Sequence, residues 1–581
     1  MAGVAGNELM ESSEPSRASI IQLYLPLLVY LLIALPVGFA TRERFNSDGV
    51  CYLHRAILLT RGDLSDSISG YWSPGLTWSV VPFLWLGVDP LHAIHLALLL
   101  WGAAFVVAAQ CFFRSIVPCK PLWVLAGGIA IAPTALRLAT PTITPDLLLG
   151  ALLLFYLALI PKHPGLAGLG AGLAFLGKAY ALPFFLVHFL MTVLLRRLGW
   201  RSLALGYLAF ALIAGPWIGV LSWKYGRFTF STAATRNRFM QDVAPPDVRI
   251  HPPDVSRVPP GPFLTNMEVT DSDAWPSWSP LDNAEHFKHQ VHIAVEHLGE
   301  LVADVWRFDY IGFALAAFLM ALLLRDRISI WLQLTGCIYA GGLLLVVYET
   351  RYALPVLLPI GLGLCLHVCE EWQQKRGSRA FHVTRPSRPC QQQGSIGDPQ
   401  DRKGIDTLGF QHGRDAHVTN ENPGLTILAL IIAICVAGSG AWGIYSALTA
   451  PHPAINDRQV ARLVTDSGLN GMFASNTANR DRASCVAFFL NQKFIALPLD
   501  VDAKILQSKL DSDGVRFLYR WFDPNYADSA DWPEPQMRLL MDDGDWVKKR
   551  SIHLDSRRRL DIYERNEGGA KPGNSTTRLG K

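Results

Sequence analysis

The segment Arg42-Glu-Arg-Phe-Asn-Ser-Asp48-Gly-Val-Cys-Tyr52-Leu-His-Arg55 directly follows the first apolar stretch of the chain. Asp48, Tyr52 and Arg55 recur at helical spacing, so a helix that begins near Ser47, a plausible N-cap, would carry them on one face. A passive membrane anchor has no need of a carboxylate, an aromatic ring and a guanidinium in this place. The segment therefore predicts a reactive group at the membrane surface, where it can meet a lipid-borne substrate.

The composition indicates a membrane protein. Of the 581 residues, 50% are hydrophobic and 17% charged, whereas soluble domains carry about 25% charged residues. The net charge of +4 is small and the basic residues lie in short loops, which argues against nucleic-acid binding. Since a span needs about 20 apolar residues, we predict eleven transmembrane helices, near residues 19–40, 92–113, 121–139, 145–161, 165–181, 182–195, 202–221, 307–324, 328–347, 352–369 and 425–448.

The basic residues also predict the orientation of these spans. With the N-terminus in the cytoplasm, five loops obey the positive-inside rule; their basic residues are Arg114 and Lys120, then Lys162, then Arg196, Arg197 and Arg201, then Arg325 and Arg327, then Lys375, Arg376 and Arg379. The apolar segment 74–87 is short, contains Pro82 and is rich in Trp, so it suits the membrane interface. Counting it as a span would invert every later loop. We therefore predict a multi-pass integral membrane protein whose C-terminal domain lies outside the cytoplasm.

This topology divides the chain into a transmembrane part and a small C-terminal domain of helices and strands. Within 449–565 we predict helices at 457–467 and 483–492 and strands at 471–475, 494–497 and 515–519, with 559–564 pairing at an edge. No Gly-rich phosphate motif opens a helix there, which indicates a non-catalytic accessory domain. The predicted parts are a cytoplasmic tail (1–18), a transmembrane module (19–370) with outside loops 41–91 and 222–306, a disordered cytoplasmic loop (371–424), a last span (425–448), the extracytoplasmic α/β domain (449–565) and a disordered tail (566–581).

Two acidic residues are candidates for catalysis. Asp48, at a helix start and near Arg44 and Arg55, is favoured in its ionised form and could act as a general base. Asp146 begins the fourth span, after Pro145, and could bind a metal or orient a sugar hydroxyl. The alternative for each carboxylate is a helix-capping role.

Two basic residues at the outer ends of spans are candidates for binding a phosphate. Lys178 lies in Gly172-Leu-Ala-Phe-Leu-Gly-Lys-Ala-Tyr180, which nearly matches a P-loop, but Ala179 replaces the required Ser or Thr. We therefore reject nucleotide binding and expect a lipid phosphate, with snorkelling to the headgroups as the alternative. Arg351, followed by Tyr352, could neutralise a phosphate leaving group or pair only with Glu349.

One histidine-rich segment allows two interpretations. His286, His289, His292 and His297 form the pattern H-x2-H-x2-H-x4-H in the second outside loop. Histidines three residues apart on a helix can share a metal ion. The pattern also fits an amphipathic helix at the membrane interface, which is the interpretation that we favour.

Several segments together resemble the GT-C glycosyltransferases, most closely the bacterial protein-mannosyltransferase-like and RgtA/B/C/D-like branch. The similar segments are Asp48 with Tyr52 and Arg55, then 73–87, then 172–178 and Arg351-Tyr-Ala-Leu-Pro355. The resemblance covers about residues 20–370. It implies a polytopic α-helical membrane protein with a GT-C-like fold, in the inner membrane of a bacterium.

The resemblance also implies an activity. The donor would be a polyprenyl-phosphate-linked sugar, and the acceptor a hydroxyl of a glycan, lipid or protein outside the cytoplasm, with inversion at the sugar. Asp48 would be the general base and Asp146 a second catalytic residue. The substrate-binding residues would be Tyr52, Arg55, Lys178, Arg351 and Tyr352. Many family members carry a second acidic residue beside the first Asp, where this chain has Gly49, so a divalent metal cofactor is left open and no metal ligand is assigned.

Two other classes of protein compete with this interpretation. A transporter or lipid flippase would place ionisable residues at mid-membrane, in broken helices and often in inverted repeats, whereas the candidate charges here lie at span ends. A non-catalytic membrane scaffold would tolerate replacement of Asp48 by Asn.

Overall fold

A computed structural model gives the fold of the chain. It describes residues 17–118, 120–240, 245, 258–269, 278–306, 326–383, 423–449, 456–476, 480–497, 503–522, 537–538, 540–541 and 545–566. The predicted span at 307–324, most of the predicted cytoplasmic loop and nearly all of both predicted tails lie outside these residues.

Before residue 450, the described part of the chain is helical wherever it has regular structure. Its helices are α1 (Arg17–Thr41), α2 (Ser47–Thr60), α3 (Leu64–Ser67), α4 (Pro74–Trp85), α5 (Pro90–Ile116), α6 (Pro121–Ala139), α7 (Asp146–Leu159), α8 (Pro164–Gly177), α9 (Ala181–Leu195), α10 (Trp200–Tyr225), α11 (Ala233–Met240), α12 (Ala284–Trp306), α13 (Arg327–Leu344), α14 (Thr350–Val383) and α15 (Pro423–Thr449). Ten of the eleven predicted spans coincide with one of these helices within a few residues, apart from the longer C-terminal end of α14.

Length and composition identify the membrane part. Within the described residues, six helices are long and apolar enough to cross a membrane, namely α1, α5, α6, α10, α14 and α15, while α7, α8 and α9 are apolar but shorter. The most apolar window of α14 is 89% buried, whereas those of α1, α10 and α15 are between 22% and 33% buried. Helix α14 is therefore central, and the other three expose apolar side chains that suit lipid. The protein is a polytopic helical membrane protein, as predicted, although the count of eleven spans is still a prediction.

The first predicted outside loop is a packed structure. Helix α2 lies against α4 and α5, and Val50, Cys51, Leu53 and Ala56 are fully buried. Helix α4 has 12 residues, which at about 1.5 Å per residue are too few to cross a bilayer. The loop therefore holds the candidate residues of α2 in a fixed position against the spans.

The C-terminal domain has a five-stranded sheet. Its elements are α16 (Asp457–Thr465), β1 (Phe473–Ser475), α17 (Arg480–Leu490), β2 (Phe494–Ala496), α18 (Ala503–Ser512), β3 (Phe517–Phe522), β4 (Trp546–His553) and β5 (Arg559–Arg565), and the strand order is β2-β1-β3-β5-β4. Strands β2, β1 and β3 are parallel, and β5 is antiparallel to β3 and β4. Helices α16 and α17 cover one face of the sheet and α18 the other.

Two predictions for this domain were wrong or incomplete. The segment 559–564 was expected at an edge, but β5 pairs on both sides, and β4 is the edge strand next to it. Strand β4 was missed because three of its eight residues, Lys548, Lys549 and Arg550, are charged. Such charges are usual on edge strands, where they hinder pairing with other chains, but they obscure the alternation of apolar residues that indicates a strand.

The three regions that were predicted to lie outside contact one another. The ring of Phe45, just before α2, lies 5.2 Å from that of Phe488 in α17. Trp72 Nε1 donates a hydrogen bond to the Met267 carbonyl (3.2 Å), and the Phe494 amide of β2 donates to the Leu264 carbonyl (2.9 Å). The C-terminal domain and the segment 258–269 are therefore both packed around α2.

Candidate active site

A cavity of about 600 Å³ brings most of the predicted site residues together. Of the seven, six line it: Asp48, Tyr52, Asp146, Lys178, Arg351 and Tyr352. They come from the starts of α2, α7 and α14 and from the junction of α8 and α9. These helix ends all open on the same side of the helical bundle, which is why residues so far apart in sequence converge.

The start of α2 fixes the position of Asp48, which lies in the first turn of the helix. The N-cap position is occupied by Asn46 rather than the predicted Ser47, and Asn46 Oδ1 accepts a hydrogen bond from the Ile143 amide (3.0 Å). A side chain at position 49 would begin only 2.9 Å from Ile143 Cδ1. Gly49 therefore permits the close approach of α2 to the segment that leads into Asp146, and a second carboxylate beside Asp48 would have to displace the Ile143 side chain.

Two cations, Arg351 and Lys178, are paired with carboxylates at the polar end of the cavity. Arg351 Nη1 lies 3.3 Å from Asp48 Oδ2, and its Nε lies 2.5 Å from Glu349 Oε2. Lys178 Nζ lies 2.5 Å from Asp146 Oδ1. The Asp48 side chain is 23% exposed and that of Asp146 only 2%, so Asp48 is the carboxylate that a substrate can reach more easily.

The backbone around Lys178 holds its ammonium group over the cavity. Lys178 is extended (φ −156°, ψ 127°) between α8 and α9. Helix α4 approaches this junction at Gly75, where an added Cβ would lie 3.0 Å from the Gly177 Cα. Lys178 Nζ also lies 3.4 Å from the centre of the Tyr352 ring, a cation–π contact that holds the side chain in place.

Two tyrosines of the first loop supply phenol groups to the cavity. Burial raises the pKa of Tyr52, as do the carboxylates of Asp48 and Asp146. Burial also raises the pKa of Tyr71 to about 12. Both phenols therefore remain protonated at neutral pH, and the Tyr71 hydroxyl donates to Asn237 Oδ1 of α11 (2.9 Å).

Tyr71 and Asn237 line the cavity but were not predicted. The aromatic pair Tyr71-Trp72 directly precedes the segment 73–87, and this adjacency was the available signal for Tyr71. No sequence pattern distinguished Asn237 from its neighbours in the second outside loop.

Arg55 does not reach the cavity, which corrects the prediction that it binds substrate. The residue is 1% exposed, and its guanidinium donates to the carbonyls of Asp66 (2.7 Å) and Glu268 (2.5 Å). The residue lies two helical turns beyond Asp48, about 10 Å along the axis, where α2 meets backbone instead of open space. Arg55 therefore holds the loops against α2.

The other end of the cavity is apolar and reaches the surface of the helical bundle. Its wall includes Pro183, Phe184 and Val187 of α9 and Leu343, Leu345 and Val346 at the end of α13. Val187 is 55% exposed and Leu345 52% exposed, so both residues join the wall to the exterior. The cavity can thus hold a molecule with a charged head and an apolar chain.

The charged residues of the cavity do not fit a divalent metal ion as they stand. Both carboxylates are already paired with a side-chain cation within 3.3 Å. Among the described residues no three His, Cys, Asp or Glu side chains are grouped as metal ligands, and His286 and His297 of the histidine-rich segment contact Trp278 and the Leu344 carbonyl instead. We derive no step through a metal.

Comparisons with known proteins extend this description. The sequence matches no protein-family model and no curated protein. In structure the chain is similar to the oligosaccharyltransferase AglB of Archaeoglobus fulgidus, in a complex with an inhibitory peptide and a dolichol-phosphate (TM-score 0.51, 10% identity, 95% of this chain and 75% of that one). A second structure of the same enzyme, with Zn and sulfate, gives a TM-score of 0.52 at 10% identity, over 91% of this chain and 71% of that one.

A weaker similarity is to ArnT of Cupriavidus metallidurans bound to undecaprenyl phosphate (TM-score 0.44, 14% identity, 93% of this chain and 98% of that one). At these identities the similarity concerns the fold alone. The chain has the fold of the GT-C glycosyltransferase superfamily.

Proposed function

We propose that this protein is an inverting glycosyltransferase that moves a sugar from a polyprenyl-phosphate donor to a hydroxyl acceptor outside the cytoplasm. The observation that carries the proposal is the form of the cavity. Its polar end holds two cation–carboxylate pairs, and its apolar wall continues to the exposed surface at Val187 and Leu345. A lipid-linked phosphate is the substrate class that fits this form, because its phosphate needs the cations and its chain needs the apolar wall.

The phosphate of the donor would bind between Lys178 and Arg351. Arg351 offers several N–H donors and Lys178 a compact charge, the two complementary ways of binding a phosphate. Glu349 and Asp146 hold these cations before the donor arrives, so that little reorganisation is needed. The dolichol-phosphate bound by AglB, which shares the fold, supports this substrate class.

The transfer itself would be a single displacement. The acceptor oxygen attacks the anomeric carbon while its proton passes to a carboxylate oxygen of Asp48. The bond between the anomeric carbon and the phosphate oxygen breaks, and the departing polyprenyl phosphate keeps the electron pair, stabilised by Lys178 and Arg351. Because no covalent sugar–enzyme intermediate forms, the configuration at the anomeric carbon inverts.

The remaining cavity residues would orient the sugar. Asp146 Oδ2 has no hydrogen-bond partner among the described residues and can accept one from a sugar hydroxyl. The phenol groups of Tyr52 and Tyr352 are further donors, and Tyr352 also carries the cation–π contact to Lys178. We expect the acceptor to be a glycan, a lipid or a protein and the membrane to be the bacterial inner membrane, with the N-terminus in the cytoplasm.

The test is transfer by the purified protein in lipid nanodiscs, from a panel of radiolabelled polyprenyl-phosphate sugars. The expected result is transfer from at least one donor, with a product of inverted anomeric configuration by NMR. Retention of configuration would contradict the single displacement. A folded protein that transfers no sugar but carries a fluorescent polyprenyl phosphate across vesicle membranes would be a flippase instead.

A further inference from the structure

Helix α12 presents one face to the protein, and this face is joined to the cavity wall. Gln290 Nε2 donates to the Leu345 carbonyl (3.0 Å), and His297 Nδ1 bonds to the Leu344 carbonyl (2.9 Å). Near the end of the helix, Asp304 accepts a hydrogen bond from the Tyr348 hydroxyl (2.7 Å). The packed face therefore contacts the segment that leads from the apolar wall to the start of α14.

A second face of α12 is apolar and exposed. At about 100° per residue, its side chains fall within an arc of about 80°. Each is between 46% and 61% exposed, and the stripe consists of Phe287, Val291, Val295, Leu298 and Val302. Scattered apolar residues are normal at a protein surface, but a continuous stripe along a helix indicates a binding partner.

The third face is polar and exposed. It carries Glu285, Lys288, His292 and Glu296, whose side chains are between 60% and 80% exposed. The circumference of α12 is thus divided into protein, apolar and water-facing thirds. A helix at the junction of protein, lipid and water needs this division.

We propose that α12 lies in the outer surface of the membrane, with its apolar stripe among the lipid chains, and that it borders the entrance of the lipid-linked donor. The proposal rests on the proposed function. Lipid is the occupant that we favour because the chain runs from Trp306 directly into the predicted span 307–324. The exposed Leu345, which α12 binds through Gln290, also lies at the apolar opening of the cavity.

This placement links the membrane to the catalytic residues. Tyr348 and Thr350 both donate hydrogen bonds to Asp304, and Arg351 follows Thr350. A displacement of α12 would therefore move both the apolar wall and the arginine that binds the phosphate. The depth of the apolar stripe in the lipid therefore sets the width of the entrance for the lipid-linked donor.

The direct test measures membrane depth and needs no activity. A genetically encoded fluorescent amino acid, which avoids the nine native cysteines, is placed at position 291 in the stripe or at position 296 on the polar face. The protein is reconstituted in nanodiscs with nitroxide-labelled lipids. We expect at least a threefold stronger quenching at 291. Equal quenching, or none at 291 because a protein partner covers the stripe, would overturn the proposal.

The kinetic test uses Val291→Glu with His292→Glu as the matched control. For a long-chain donor in bilayers we expect Val291→Glu to raise KM about tenfold with kcat unchanged, and the control to match the wild type. Neither variant should affect transfer from a short-chain, water-soluble donor. An equal effect on both donors would refute a role in donor entry, whereas absence of all transfer by the wild type would refute the proposed function and leave the quenching result intact.

Discussion

Variants of the Lys178–Asp146 ion pair distinguish its contribution to folding stability from its contribution to catalysis. Lys178→Met leaves the buried Asp146 carboxyl (2% exposed) without its cation. Breaking a buried pair costs about 3–5 kcal/mol, and since Lys178 is 27% exposed we expect a smaller cost, about 2–3 kcal/mol. The double variant with Asp146→Asn should recover the stability to within about 1 kcal/mol, because a neutral pair can replace the ionic one.

The activity of these variants should not follow their stability. Loss of one charged hydrogen bond to the donor phosphate is worth about 1.5–3 kcal/mol, or roughly a 10- to 150-fold loss in kcat/KM. The double variant should lose at least as much activity as the single variant, because it also lacks the Asp146 carboxylate that would orient the sugar. The free energy of unfolding in detergent comes from tryptophan fluorescence, and kcat/KM from donor titration. The exposed Lys162→Met is the control for removal of a positive charge and should match the wild type in both measurements.

One outcome would refute the role of Lys178 in donor binding, namely recovery of kcat/KM together with stability in the double variant. Lys178 would then serve only to neutralise Asp146. If Lys178→Met were as stable as the wild type, the ion pair itself would contribute nothing to folding.

Three further predictions concern the supports of the site. Gly49→Asp should displace the first turn of α2 from Ile143 and lower kcat at least tenfold, without creating any dependence on added divalent cations; activation by Mg²⁺ would contradict this. Glu268→Ala should cost about 2–4 kcal/mol of unfolding free energy, because it strips buried partners from two backbone amides and a histidine; an unchanged denaturation midpoint would be inconsistent with it. Burial raises the pKa of Asp89, but the hydrogen bonds and charge of Arg458 outweigh it, so the pKa is lowered. The ion pair of Asp89 with Arg458 therefore stabilises the fold above the ordinary pKa of an Asp. This stabilisation is lost as the pH falls below about 4. Hydrogen exchange in α16, which holds Arg458, should show this acid loosening in the wild type and not in Arg458→Ala, and equal loosening in both would contradict the assignment.

The sequence was sufficient for the helical membrane fold and for much of the cavity. Long apolar runs mark spans because a bilayer requires them, so the sequence located the helix ends at which Asp48, Asp146, Lys178 and Arg351 lie. Whether these residues act as proposed is a prediction that the fold alone does not test.

Tertiary packing accounts for what the sequence did not reveal. Arg55 shares a helical face with Asp48, but α2 is enclosed at that end by carbonyls that are distant in sequence. Asn237 lines the cavity beside Tyr71, which is 166 residues away in sequence and donates a hydrogen bond to it. Helical periodicity describes the face of a helix and not what covers it.

The measurement that tests the central claim most directly compares binding with turnover in Asp48→Asn. The control is Asp66→Asn, which alters a carboxylate of the same loop that does not line the cavity. We predict that Asp48→Asn binds polyprenyl phosphate as well as the wild type, because Lys178 and Arg351 remain, and that sugar transfer falls by about 10²- to 10⁴-fold, the usual contribution of a general base. Full transfer by a folded Asp48→Asn protein would contradict the account.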